Sequence, residues 1–451
     1  MAGIDQRDTS TAVGDAAIET AIRPDGMLHR LVATTRVTTR SLRYRNFRLY
    51  FIGQGVSLIG TWMQRVAMAW LVYRLTGSAL LLGVVGFASR IPTLVLAPLA
   101  GVAADRWDRR RILYATQSLS MLQAILMAAL VLGHVIAVWH VMVLAVFLGI
   151  MSAFDIPARQ SFFVHLIDDA RDLGNAIALN STVFNIARLI GPAIAGVLIA
   201  FLGEGPVFAL NAVTFLAMLA ALRMMRLRPE GPRGQTHRVL QNMREGFHFA
   251  WGFTPVRAVL VLITVVSIMA VPFTVLMPVF ATNVLHGGPD TLGFLTASQG
   301  VGALVGALFL AQRESVRGLG RVIAVAAVIF GAGLVAFGSS RALPLSMLLL
   351  AVAGFGLMVQ TASSNTFLQT AVTDDMRGRI MSFYTMAFSG TMPIGSLFAG
   401  VAADHIGAPA TVVIGGTATI VAALLFAWKL PALRRQFRAR EVARMIPEPD
   451  V

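Results

Sequence analysis

Asp155 and Arg159 stand one helical turn apart inside an otherwise apolar stretch, and theirs are the residue types and spacing that suit proton chemistry. A carboxylate so placed has a pKa open to tuning by burial and by the neighbouring cation, as reversible protonation requires. The pair suits a plainer role equally well, an ion pair tying one helix to the next, and the residues alone leave both open. Every other Asp and Glu falls in a tail, in a loop or at the boundary of an apolar run. More polar groups punctuate the apolar runs: Gln54, Gln64, Arg65, Arg90, Asn180, Asn185 and Arg188 in the first half, Thr264, Ser267, Gln299, Gln360, Ser364, Asn365, Gln369, Tyr384 and Ser389 in the second. A charge in a lipid-spanning helix costs about 2.5–3.5 kcal/mol on insertion scales, so each is expected to face protein or a wet cavity. Other chemistries find no support. The chain has no cysteine, hence no disulfide or thiol nucleophile, and no Gly-x4-Gly-Lys loop, His-x3-His pair or Gly-x-Ser-x-Gly elbow. Neither an enzyme nor a bound metal or cofactor is expected.

The elements that must position these groups follow from composition. With 56% hydrophobic and 13% charged residues and a mean hydropathy of +0.73, the 451-residue chain cannot cover itself with a wetted surface. Apolar runs of about 20 residues, enough to cross a hydrocarbon core as helix, recur between short breaks. Helices are required, because a backbone in lipid must satisfy its own hydrogen bonds, and the runs are too continuous for barrel strands. Spans are expected near 47–73, 79–103, 111–132, 138–160, 174–202, 205–224, 256–284, 291–312, 318–340, 343–369, 376–403 and 408–430. The fold class is thus all-α membrane protein with twelve transmembrane helices. Its parts are a cytoplasmic tail (1–45), a six-helix bundle (46–225), a linker with an amphipathic helix (226–254), a second six-helix bundle (255–430) and a cytoplasmic tail (431–451).

The net charge of +15 reads as a topology signal rather than a nucleic-acid surface, because the arginines sit between the apolar runs and retained loops carry such excess. With the N-terminus inside, the inner loops hold Arg106, Arg109, Arg110, Arg111, Arg171, Arg313, Arg321, Arg377 and Arg379 among others, whereas the outer ones hold Arg74 and Arg341. A multi-pass protein of the cytoplasmic (inner) membrane, both termini cytoplasmic, is expected. The halves echo one another. Asp168 Asp169 Ala170 Arg171 precedes a span carrying Gly191 Pro192, and Asp374 Asp375 Met376 Arg377 precedes one carrying Met392 Pro393 Ile394 Gly395. Six-helix repeats of this kind place a binding site between them near the midplane.

The loop Gly101 Val102 Ala103 Ala104 Asp105 Arg106 Trp107 Asp108 Arg109 Arg110 Arg111 resembles the G-x-x-x-D-R-x-G-R-R signature of the major facilitator superfamily, with Asp108 where the family has glycine. The resemblance covers about 45–430. It implies two pseudo-symmetric six-helix bundles and a conformational latch in which Gly101, Asp105, Arg106, Arg109 and Arg110 meet the eleventh span; a stop-transfer basic cluster is the plainer reading. Ala187, Gly191, Pro192 and Gly196 in the fifth span are similar to the family's antiporter motif, with alanine for several of its glycines, though small residues also serve ordinary close packing. The stretches Thr61–Gln64 and Phe154–Gln160 resemble the subgroup of the enterobactin exporter and drug:proton antiporters. Since spans one, four, seven and ten line the cavity in that fold, Gln54, Gln64, Asp155, Gln360 and Asn365 become candidate pathway contacts, with Asp155 and Arg159 candidates for proton coupling. The implied function is proton-coupled efflux of small amphipathic molecules, drugs or siderophores, by alternating access. A lipid or lysolipid transporter and a non-transporting receptor are the alternatives. The expected partners are an amphipathic substrate, membrane lipid and protons, without nucleic acid, and the expected state is a monomer.

Overall fold

A computed structural model describes residues 40–226, 248–313 and 318–445. Most of the expected N-terminal tail, and the linker with its amphipathic helix over 227–247, lie outside the described residues. Twelve long helical segments follow one another: α1 Arg45–Thr76, α2 Ala79–Arg106, α3 Arg109–Leu132, α4 Val138–Val164, α5 Ala170–Leu202 and α6 Glu204–Met224; then α7 Thr254–Val284, α8 Pro289–Ala311, α9 Leu319–Ser339, α10 Leu343–Ala371, α11 Met376–Ile406 and α12 Ala408–Met445. Eleven are apolar and long enough to cross a bilayer. The exception, α1, is diluted by Gln54, Gln64 and Arg65. Large apolar side chains such as Val95, Phe201, Leu348, Phe398 and Trp428 stay exposed, as a lipid-facing surface requires. Helix α12 runs on past the expected start of the tail to Met445, through Pro431.

Turn chemistry sets the helix ends. Ser78 caps α2 by accepting from Leu81 N at 3.3 Å, and Gly77, at φ +64°, adopts the left-handed conformation that ends α1. Asp108, the departure from the family glycine, caps α3: its carboxylate accepts from Arg110 N at 2.8 Å and Arg111 N at 3.3 Å. Asp169 caps α5 likewise, and hydrogen bonds from the side chain and backbone of Arg171 hold its carboxyl at about 2, well below the usual carboxylate range.

The two proline-bearing spans differ. α5 passes Pro192 as uninterrupted helix, so the helical break that would match α11 does not occur. α11 instead widens into a π turn at Met386–Gly390 just before Pro393. In π register the donor to the Phe388 carbonyl would be residue 393, a proline without an N–H. The Ser267 hydroxyl of α7 donates to that carbonyl instead. Facing it, α7 is broken by Pro272 and Pro278 into π and 3₁₀ segments. Pro272 cannot serve the Ile268 carbonyl, and Gly395 of α11 packs its backbone there: a Cβ on Gly395 would lie 2.6 Å from Ile268 O. Ser267→Ala is therefore expected to strand a buried carbonyl and lower stability by about 1–3 kcal/mol. Thermal unfolding of the purified protein in detergent reads this directly.

Candidate functional site

The bundles meet along two helix pairs, α2 with α11 and α5 with α8, and in each pair glycines make the approach. A Cβ on Gly83 would sit 2.8 Å from the Gly400 Cα, and one on Gly196 would sit 2.8 Å from the Gly293 Cα. Gly83 and Gly293 each stand four residues into their helices, and Gly196 and Gly400 each six before the end. The two crossings thus repeat one another, and both lie at the end of the bundle remote from Arg40 and Met445. At the opposite end no such crossing is seen among the described glycines: Gly101 of α2, Gly174 of α5 and Gly378 of α11 have nothing within 4 Å of where a Cβ would stand. The close approach expected of Gly101 is therefore absent in this conformation.

The described contacts of the Gly101–Arg111 loop lie within its own bundle. Arg110 donates to the Leu222 carbonyl at the end of α6 at 2.6 Å and lies over the Tyr114 ring; Arg109 meets His165 at 3.3 Å. Arg106 is exposed. The side chain of Asp105 lies outside the described part of the structure. The antiporter-like residues split their work. Gly191 packs on α1, its Cβ position 2.7 Å from Trp62 Cβ, while Gly196 packs on α8 across the seam. Ala187 is buried.

The candidate pathway residues do not form one hydrogen-bonded cluster. Gln64 donates to Gln123 of α3 at 2.7 Å and accepts from Asn211 of α6 at 2.5 Å. Asp155 accepts from Thr116 at 2.9 Å and Gln117 at 2.7 Å, both on α3, and pairs with Arg159. Gln360 reaches only Ser364 of its own helix, at 3.4 Å. Asn365 accepts from Gln369 at 2.5 Å, and Tyr384 of α11 donates to the Thr361 carbonyl of α10 at 3.2 Å. The Oε1 atoms of Gln54 and Gln360 are buried without a protein partner, as befits groups kept for water or solute.

Two features escaped the sequence reading. Asp172, at the boundary of an apolar run, is buried in the first turn of α5 and gathers Arg40, Arg43 at 2.6 Å and Tyr44 at 2.8 Å, fastening the turn before α1 to α5. The second is a set of arginines. Arg65 of α1 and Arg188 of α5 place their guanidinium carbons 4.7 Å and 6.0 Å from the centroid of the same Trp62 ring, and Arg65 also feels the field of Arg90 on α2. Arg90 reaches across the seam to Met392 Sδ at 3.3 Å. The in-span charges were visible in the sequence, but weight placed on spans one, four, seven and ten drew attention from α2 and α5.

Comparisons with known proteins agree with this architecture. The family model described as transmembrane secretion effector matches residues 37–451. The multidrug efflux pump Tap of Mycolicibacterium fortuitum is 30% identical over 356 residues, covering 77% of this chain and 86% of that protein. The staphyloferrin A transporter of Staphylococcus aureus is 26% identical over 387 residues, covering 84% and 95%. Among solved structures, a D-xylose–proton symporter superposes with a TM-score of 0.66 at 17% identity, covering 85% of this chain and 97% of that one. A bacterial homologue of the iron transporter ferroportin in an inward-facing state gives 0.65 at 14%, covering 85% and 98%. At such identities the structures speak for the fold, and the family match carries the rest: the chain belongs to the transmembrane secretion effector family of major facilitator transporters, and is a membrane transporter rather than an enzyme.

Proposed function

We propose that this protein is a secondary active exporter of small amphipathic molecules of the drug or siderophore class, coupled to protons, with both termini in the cytoplasm. The observation that carries the reading is the paired geometry of α2 with α11 and α5 with α8, whose glycines meet closely at one end and find no neighbour at the other. Two rigid bundles crossing at small residues can rock about that seam and expose a midplane site alternately. The similarity to a multidrug efflux pump and a siderophore transporter supports the substrate class. Arginine placement supports the orientation: Arg106, Arg109, Arg111, Arg171, Arg226, Arg313 and Arg377 cluster at the end remote from the crossings, Arg74 and Arg341 at the closed one. Asp155 is assigned to coupling, because the other described carboxylates stand in loops or within a turn or so of helix ends.

Proteoliposomes test the assignment. Under an imposed pH gradient, members of a panel of siderophores, macrolides, dyes and lysolipids should be carried and should exchange in counterflow. A ligand that binds yet never exchanges points to a receptor and refutes transport. Asp155→Asn should abolish the pH-driven component while leaving counterflow; full pH-driven transport by this variant removes Asp155 from the coupling scheme.

A further inference from the structure

Arg65, Arg90 and Arg188 share one level of the membrane. By the 1.5 Å rise of a helix, Arg65 and Arg90 stand about 16 Å, and Arg188 about 21 Å, from the closed-end termini of α1, α2 and α5. Arg65 and Arg90 are exposed and Arg188 is half-buried, although each stands in the interior of its helix rather than at an end. That combination describes the wall of a cleft. Its position is fixed independently by Trp62, whose Cβ abuts Gly191 of α5, and by Met392 of the opposite bundle, which Arg90 touches.

Among the described residues none of the three has a carboxylate partner. Asp155, the one described carboxylate in a helix interior, is taken by Arg159, Thr116 and Gln117. Three cations without counterions at mid-membrane repel one another and are costly in lipid, and a cleft walled by low-dielectric protein focuses their field into the space between. Guanidinium groups stay protonated at any physiological pH, so they serve as fixed anchors rather than as proton carriers. Their planar donor forks match carboxylate, sulfonate and phosphate oxygens, and two of them are already oriented over an indole face.

We infer that Arg65, Arg90 and Arg188 bind an anionic group of the substrate, a carboxylate, sulfonate or phosphate ester on an apolar or aromatic body, with Trp62 and Met392 as apolar walls. The inference rests on the exporter reading and narrows its substrates to amphipathic anions. It explains why Arg65 and Arg188 share one ring: a single acidic group entering beside Trp62 answers both.

The test uses the full chain in phosphatidylcholine nanodiscs and two probes alike in body but not in charge, 1-pyrenebutyrate and 1-pyrenebutanol, with energy transfer from tryptophan as readout and empty nanodiscs as background. The butyrate is expected to bind at least tenfold more tightly than the alcohol, and Arg90→Gln or Arg65→Gln should bring that ratio close to one. Arg90→Lys, which keeps the charge, should retain part of the preference, and so separates a lost anchor from a misfolded protein. Equal binding of the two probes to the parent protein, or a preference that survives all three Arg→Gln substitutions, overturns the inference. Phosphatidylglycerol in the nanodisc should leave butyrate binding unchanged for a soluble anion; competition by it would mean that a lipid headgroup supplies the same anionic chemistry. Counterflow of the probes is measured separately: binding with the expected preference but no exchange defeats the exporter reading and leaves the anion site standing.

Discussion

Gly196→Val is expected to pry the bundles apart at their closed end and to abolish most transport. The new Cβ would stand 2.8 Å from both the Gly293 Cα and the Pro289 carbonyl oxygen. Both are backbone atoms, which cannot swing aside as a side-chain tip can. Overpacking of this kind costs about 1–3 kcal/mol. Here the cost falls on the conformation in which α5 and α8 touch and is relieved when they separate, so it acts on an equilibrium between states more than on folding. A bias of that size changes the ratio of states by about 5–150-fold. The protein lacks cysteine, so one introduced thiol reports without background. Ala79, whose carbonyl lies 2.9 Å from the Cβ position of Gly400 in the equivalent crossing, is buried. Ala79→Cys should label slowly in the parent and many times faster with Gly196→Val. Identical labelling rates would show that this crossing does not govern access.

Asp155→Ala is expected to destabilise the first bundle by about 3–5 kcal/mol, the range for removing one partner of a buried ion pair. The Asp155 and Arg159 side chains are 11% and 23% exposed, so water can do little to replace the lost carboxylate. Thr116 and Gln117 lose their shared acceptor in the same step. Asp155→Asn retains an acceptor and should cost less, and combining it with Arg159→Gln should recover part of the loss, since the stranded cation goes too. Unfolding of the four proteins in detergent gives the coupling energy. A double variant no better than the sum of its singles would mean that the pair contributes nothing as a pair.

The same residues show what the sequence could and could not convey. Hydrophobic runs and arginine asymmetry were enough for twelve helices in two sixes, because both are one-dimensional signals imposed by a lipid solvent. Asp155 with Arg159 was readable from i, i+4 spacing, yet its partners on α3 were not, as they lie 38 and 39 positions away in the chain. The part Asp172 plays was illegible for the same reason: its worth comes from Arg40, Arg43 and Tyr44, more than 120 positions distant. The antiporter-like pattern marked Gly196 but not Gly83, Gly293 or Gly400. A glycine acquires such a role only from the backbone opposite, and composition is silent about that.

The two crossings also determine what separating them entails. The ion pair described at the closed end, Arg74 with Glu204, links α1 to α6 within one bundle and need not break when the bundles part. What parts is backbone resting on backbone and apolar side chains packed beside it, contacts that are short in range and indifferent to ionic strength. Among the described residues that end of the transporter is therefore held by fit rather than by a lock of charges: once the helices have moved apart by the width of a methyl group, these contacts are largely lost.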